Sequence, residues 1–155
     1  MRSINSIGYL LNHVSFVLGR QSDQVLQERL GIGFSQFKIM KTLQKSPHIQ
    51  QKQIAECLGQ TEASISRQIK LLQEQGLLQT VRRAENRREH ITTLTAKGDR
   101  YTDEAISVLN DYLEPMFTGL SEKQQAVLLE SLQILHQASC DPTKVTACHK
   151  NETTK

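Results

Sequence analysis

Apolar residues recur in helical steps along most of the chain, and the pattern breaks where the residues themselves specify a turn. Ile4, Ile7, Leu11, Val14, Leu18 and Val25 are spaced mostly by threes and fours, with one polar gap, which predicts a long amino-terminal helix with an apolar seam. Further on, Gln53, Ile54, Ala55 and Leu58 predict a short helix, with Gly59 as its C-terminal stop and Thr61 as the N-cap of the next. Helices joined this tightly cross at a steep angle. In the second of the pair Ile65, Ile69 and Leu72 return at steps of four and three and so face inward, which leaves Ser64, Ser66, Arg67 and Lys70 on or near the outer face.

Gly76 closes that helix. Leu77 to Val81 and Glu89 to Leu94 then predict two strands separated by a basic loop that contains Arg82, Arg83, Arg87 and Arg88. Helices resume after it. Tyr101, Ala105, Val108, Tyr112 and Met116 form one stripe, with Pro115 expected to bend or end that helix. Ser121 and Gln124 form a capping box ahead of a helix on which Leu128, Leu132 and Leu135 align. From Cys140 to Lys155 the chain is polar, contains Pro142 and has no apolar period, as expected of a flexible tail. The predicted fold is mainly α with a small β-hairpin wing: a winged helix-turn-helix flanked by helices at both ends.

This order points to DNA. An α-helix fits the major groove, where hydroxyls and a guanidinium reach base edges or phosphates, and an arginine-tipped loop suits a narrow minor groove of enhanced negative potential. The charge distribution agrees. Between Lys38 and Arg100 there are 12 Lys or Arg against 6 Asp or Glu, whereas the rest of the chain has 7 against 10. The basic excess is therefore local to the predicted reader, where neutralising phosphates and releasing counterions would require it. Arginines crowded on a hairpin tip also repel one another without an anionic partner. A solvated, purely structural basic face is the ordinary alternative for Arg67 and Lys70, and the adjacent turn and wing favour DNA over it.

Three segments resemble the MarR (multiple antibiotic resistance regulator) family of winged helix-turn-helix transcription factors: Gly31 to Leu43, Gln53 to Gly76 and Asn86 to Gly98. In the first, Gly33 stands where the family usually has a Thr cap. In the last, Arg88, Leu94, Thr95 and Gly98 match the family's wing arginine and its Leu-Thr-Xaa-Xaa-Gly, while Asn86 replaces the family's Asp and can hydrogen-bond but not ion-pair. The resemblance implies one domain over residues 1–139: a dimerisation helix at 1–30, the winged helix-turn-helix at 34–98 and dimerisation helices at 99–139, with 140–155 as tail. It further implies a homodimer on double-stranded DNA, with a small aromatic or phenolic ligand bound between the dimerisation helices and the reader. Ser64, Ser66, Arg67 and Lys70 are then expected at the major groove, and Arg87 and Arg88 at the minor groove. Such a protein is expected to act as a repressor of a pseudo-palindromic operator, released by its effector. A reader this small gains specificity by presenting two recognition helices about 34 Å apart.

Other chemistry is thinner. A chain of 155 residues with 37% hydrophobic and 5% aromatic content suits a mostly helical domain with a sizeable core. There is no phosphate-binding glycine loop, His-Glu-Xaa-Xaa-His, nucleophile elbow or clustered acid pair, so no catalytic residues, cofactor or metal are expected. No segment approaches a membrane span and the amino terminus lacks a signal-peptide core, so a cytoplasmic protein is expected. Three cysteines without a secretory signal point to reduced thiols rather than disulfides. Cys57, on the helix before the recognition helix, is a small core residue by ordinary standards; the alternative is a redox sensor in which oxidation moves that helix. His136, Cys140, Cys148 and His149 match no standard zinc spacing. A winged-helix adaptor that binds protein instead of DNA is the remaining alternative, and it leaves the basic reader unexplained.

Overall fold

The computed structural model describes residues 2–82 and 90–139. They form α1 (Arg2–Leu30), α2 (Phe34–Lys45), α3 (Gln51–Leu58), α4 (Glu62–Glu74), β1 (Leu78–Arg82), β2 (His90–Leu94), α5 (Ala96–Phe117) and α6 (Glu122–Ser139). This is the expected mainly α fold with one antiparallel hairpin, whose register runs from Leu78 opposite Leu94 to Arg82 opposite His90. Strand β1 begins one residue later than the sequence pattern suggested, Leu77 being instead a buried anchor between α4 and the hairpin, and Glu89, the expected start of the second strand, lies outside the described residues.

Helix α2 is the hub. Ile39, Met40 and Leu43 are almost fully buried, and they pack in one core with Leu26 of α1, Ile54 of α3, Ile65 and Leu72 of α4, and Ala105 of α5. Removing this apolar surface from water is the main force holding the reader together. The hydroxyl of Tyr101 on α5 donates to the Leu30 carbonyl, one of the carbonyls left unpaired where α1 ends at Gly31 (φ +67). Gln44 of α2 donates from Nε2 to Asp99 Oδ1 at 3.1 Å and Asp103 Oδ1 at 2.9 Å, tying α2 to α5.

The start of α2 resolves the unusual Gly33. Asp23 of α1 supplies the missing cap, its Oδ1 accepting from the Phe34 amide at 2.8 Å, and Gln36 Oε1 accepts from Gly33 N at 2.9 Å. A side chain at Gly33 would crowd this cap, since its Cβ would lie 3.2 Å from Asp23 Oδ1. The cap has moved from the helix's own first residue to the neighbouring helix.

Two sequence features differ from expectation. Pro115 does not end α5 at once: the helix runs on to Phe117, and the Thr118 hydroxyl donates to the Pro115 carbonyl at 2.7 Å. With only two helical residues after it, an exposed proline costs one hydrogen bond whose acceptor water can satisfy. The amino-terminal seam is buried only in its second half, with Val25 inside and Ile7, Leu11 and Val14 exposed. Helix α6 buries no residue, and Val127, Leu128, Leu132 and Leu135 all stand in solvent. Among the described residues no helix is long and apolar enough to cross a membrane.

Candidate nucleic-acid interface

The α3–α4 turn is built by two local devices. Gly59 takes the left-handed conformation (φ 61, ψ 36) that a Cβ disfavours, and its amide donates to the Glu56 carbonyl at 3.3 Å while that of Gln60 donates to Ala55 at 2.9 Å. Thr61 then caps α4, its Oγ1 accepting from Ser64 N at 3.2 Å. The recognition helix is thus started by residues whose geometry leaves little choice.

Ile65, Ile69 and Leu72 pin α4 to the core, and the opposite face carries exposed Arg67 and Lys70 with exposed Ser66 on its flank. Ser64 is different. It is half-buried, and its hydroxyl donates to Gln60 Oε1 at 3.4 Å. Stepping 100° per residue from the cap also brings Ala63 and Leu71 to the outer face, where both are exposed, Leu71 by 46%. Their apolar character hid them from a search for charged or hydroxylated readers; counting from Thr61 exposes them.

Behind the recognition helix the wing base is locked. Thr95 N donates to the Leu77 carbonyl at 3.0 Å, while the Thr95 hydroxyl donates to Gly76 O at 2.8 Å and accepts from Gly98 N at 2.9 Å as the cap of α5. Gly98 lies so close to β1 that a Cβ would sit 1.9 Å from Leu77 O. Lys97 Nζ donates to Gln75 O at 2.9 Å, and Gln73 Nε2 to Thr80 Oγ1 at 2.6 Å. Leu94, Thr95 and Gly98 therefore join the end of α4, the hairpin and the start of α5 into one block. Of the remaining predicted site residues, Arg87 and Arg88 lie outside the described residues, as does Asn86. Cys57 is half-buried against the core. Among the described residues no group of His, Cys, Asp and Glu is placed to hold a metal ion.

A groove of about 840 Å³ lies between α1 and the start of α2, lined among others by Phe16, Arg20, Gln21, Phe34, Ser35 and Lys38. Two aromatic faces there each carry a cation: Arg20 is 5.9 Å from the Phe16 ring centroid and Lys38 5.2 Å from that of Phe34. Gln21 Oε1 is buried with no hydrogen-bond partner among the described residues.

Residues 30–89 match the model of the MarR family. Over 112 residues the chain is 25% identical to the HTH-type transcriptional regulator BilQ of Clostridium symbiosum, covering 72% of this chain and 76% of that one. Over 87 residues it is 33% identical to an uncharacterized protein of Methanocaldococcus jannaschii, covering 56% of this chain but 31% of that longer one. Among solved structures, a MarR family protein from Bacillus stearothermophilus superposes with a TM-score of 0.77 at 19% identity, over 89% of this chain and 96% of that one. The last likeness establishes the fold.

Proposed function

We propose that this chain, whose residues 30–89 match the MarR family, is a homodimeric, DNA-binding transcriptional regulator that represses from a pseudo-palindromic operator and is released by a small aromatic or phenolic ligand. The observation that carries the reading is the outer face of α4, where Ser66, Arg67 and Lys70 project from a helix locked by the Gly59 turn and the Thr95–Gly98 block. Arg67 and Lys70 reach the major groove, with Ser64 and Ser66 at the flanks of the same helix, and Arg87 and Arg88 of the basic loop take the minor groove.

Dimerisation has its own support. Ile7, Leu10 and Val14 of α1 and Val127, Leu128 and Leu132 of α6 are large apolar side chains left in water, more than scattered surface residues account for. Burying them against the same faces of a second copy gives the two-fold symmetry that a pseudo-palindrome requires. The groove beside Phe16 and Phe34 supports the effector: stacking faces and two cations suit a planar ligand bearing an anionic or phenolic group. A ligand held there shifts the reader only as far as its affinities for the two arrangements differ.

The test is selection from a random duplex library. Enriched sequences with two half-sites separated by about one helical turn, bound by two protomers, are the expected result. Failure to enrich any sequence over the starting pool overturns the reading.

A further inference from the structure

Between the groove and the recognition helix a short chain of polar side chains joins Ser64, at the start of α4, to α2. Gln60, in the α3–α4 turn, donates from Nε2 to Ser35 Oγ on α2 at 2.8 Å, and its Oε1 lies 3.3 Å from the same hydroxyl. That Oε1 also accepts from Ser64 Oγ in the first turn of α4 at 3.4 Å. All three residues are half-buried, so water competes only partly for these bonds. Ser35 itself adjoins Phe34, whose amide is held by Asp23 of α1, and it lines the groove.

We propose that Gln60 is a positioning residue for sequence recognition, fixing the first turn of the recognition helix to the start of α2 through Ser35 and Ser64. The proposal rests on the DNA-binding reading and adds to it how the reader is set. Glu62 to Arg67 form the end of α4 that a helix-turn-helix aims at base edges, so a small change in its pitch alters base contacts before it alters phosphate contacts. The Thr61 cap fixes where α4 starts but not its tilt against α2. Gln60 is the side chain that reaches α2 from the turn, and it bonds both neighbours at once. Because Ser35 belongs to the groove as well, anything that takes over the Ser35 hydroxyl releases Gln60 and, with it, Ser64.

Base discrimination is the readout, measured as the ratio of affinities for a library-enriched duplex and a scrambled duplex at one salt concentration. Ser35 lies on α2 rather than on α4, and among the described residues the hydrogen bonds that join it to Ser64 run through Gln60. Ser35→Ala and Ser64→Ala should each lower the ratio about three- to tenfold, the value of a partly buried hydrogen bond expressed in affinity. The double variant should lose no more than the deeper single one, and in a Gln60→Ala background Ser35→Ala should not lower the ratio further. Ser35→Thr, which keeps the hydroxyl, should retain it. Losses that multiply, a coupling that survives in Gln60→Ala, or an equal weakening on both duplexes overturns the role of Gln60 alone. Unmutated protein that binds neither duplex overturns the DNA reading itself, and this role with it.

Discussion

Replacing Gly98 with alanine tests the block that carries the wing. The added Cβ would lie 1.9 Å from Leu77 O, 2.9 Å from Leu77 C and 3.2 Å from Leu94 Cδ2. The first two atoms are backbone, so no side chain can swing aside; α5 must retreat from the α4–β1 junction by more than an ångström. That retreat stretches the 3.0 Å bond from Thr95 N to Leu77 O, and with it the anchoring of the hairpin. Overpacking of this kind costs about 1–3 kcal/mol, and a lost hydrogen bond adds about 1 kcal/mol, so the expected total is about 3 kcal/mol. For a chain of this size that is a fall of roughly 6–12 °C in the thermal midpoint, read by circular dichroism at fixed protein concentration. Gly19→Ala is the control, since a Cβ there meets nothing within 4 Å and the position is helical. It should be neutral or stabilising by up to about 1 kcal/mol. A Gly98→Ala midpoint within a degree of wild type would refute the close approach and the rigid block built on it.

Arg67→Ala should cost about 1–3 kcal/mol of binding to an enriched duplex and relax preference at one position per half-site; equal weakening on every sequence would assign Arg67 to phosphate instead. Leu132→Glu on α6 places a charge in the exposed apolar face and should shift sedimentation from dimer to monomer while leaving the helical signal intact, because α6 buries nothing within its own protomer. Burial, with a smaller contribution from Glu104, raises the Tyr101 phenol above its ordinary value of 10.0. Its folded pKa exceeds the unfolded one, so its contribution to stability is full below pH 10 and is lost as pH rises through the folded value. The phenolate step that disappears in Tyr101→Phe should therefore lie above pH 10 in a spectrophotometric titration, and a step at or below it would contradict the burial.

How far the sequence spoke depended on whether the chemistry was local. Gly59 and Thr61 announced the turn because a left-handed glycine and a cap hydroxyl act on their own neighbours, and Ile65, Ile69 and Leu72 declared the inward face through period alone. The Ser121–Gln124 box was legible for the same reason, with Ser121 N donating to Gln124 Oε1 at 2.9 Å. Asp23 capping α2, Gln44 bridging Asp99 and Asp103, and Gln60 joining Ser35 to Ser64 were not legible. These are polar pairs brought together by tertiary packing, and a lone Gln or Asp carries no periodic signature. Leu94, Thr95 and Gly98 fell in between: the resemblance flagged them, and the 1.9 Å approach to Leu77 O gives the physical reason.

The central claim is that the outer face of α4 and the arginine loop bind DNA through its phosphates as well as its bases. The most direct measurement is the affinity for a library-enriched duplex as a function of salt. Several phosphate contacts predict a log–log slope of about −0.9 per contact, and hence a fall of orders of magnitude between low and moderate salt. Arg87→Ala with Arg88→Ala should flatten that slope by close to two contacts. Affinity that stays constant across the salt range, or no binding at low salt, would contradict the account.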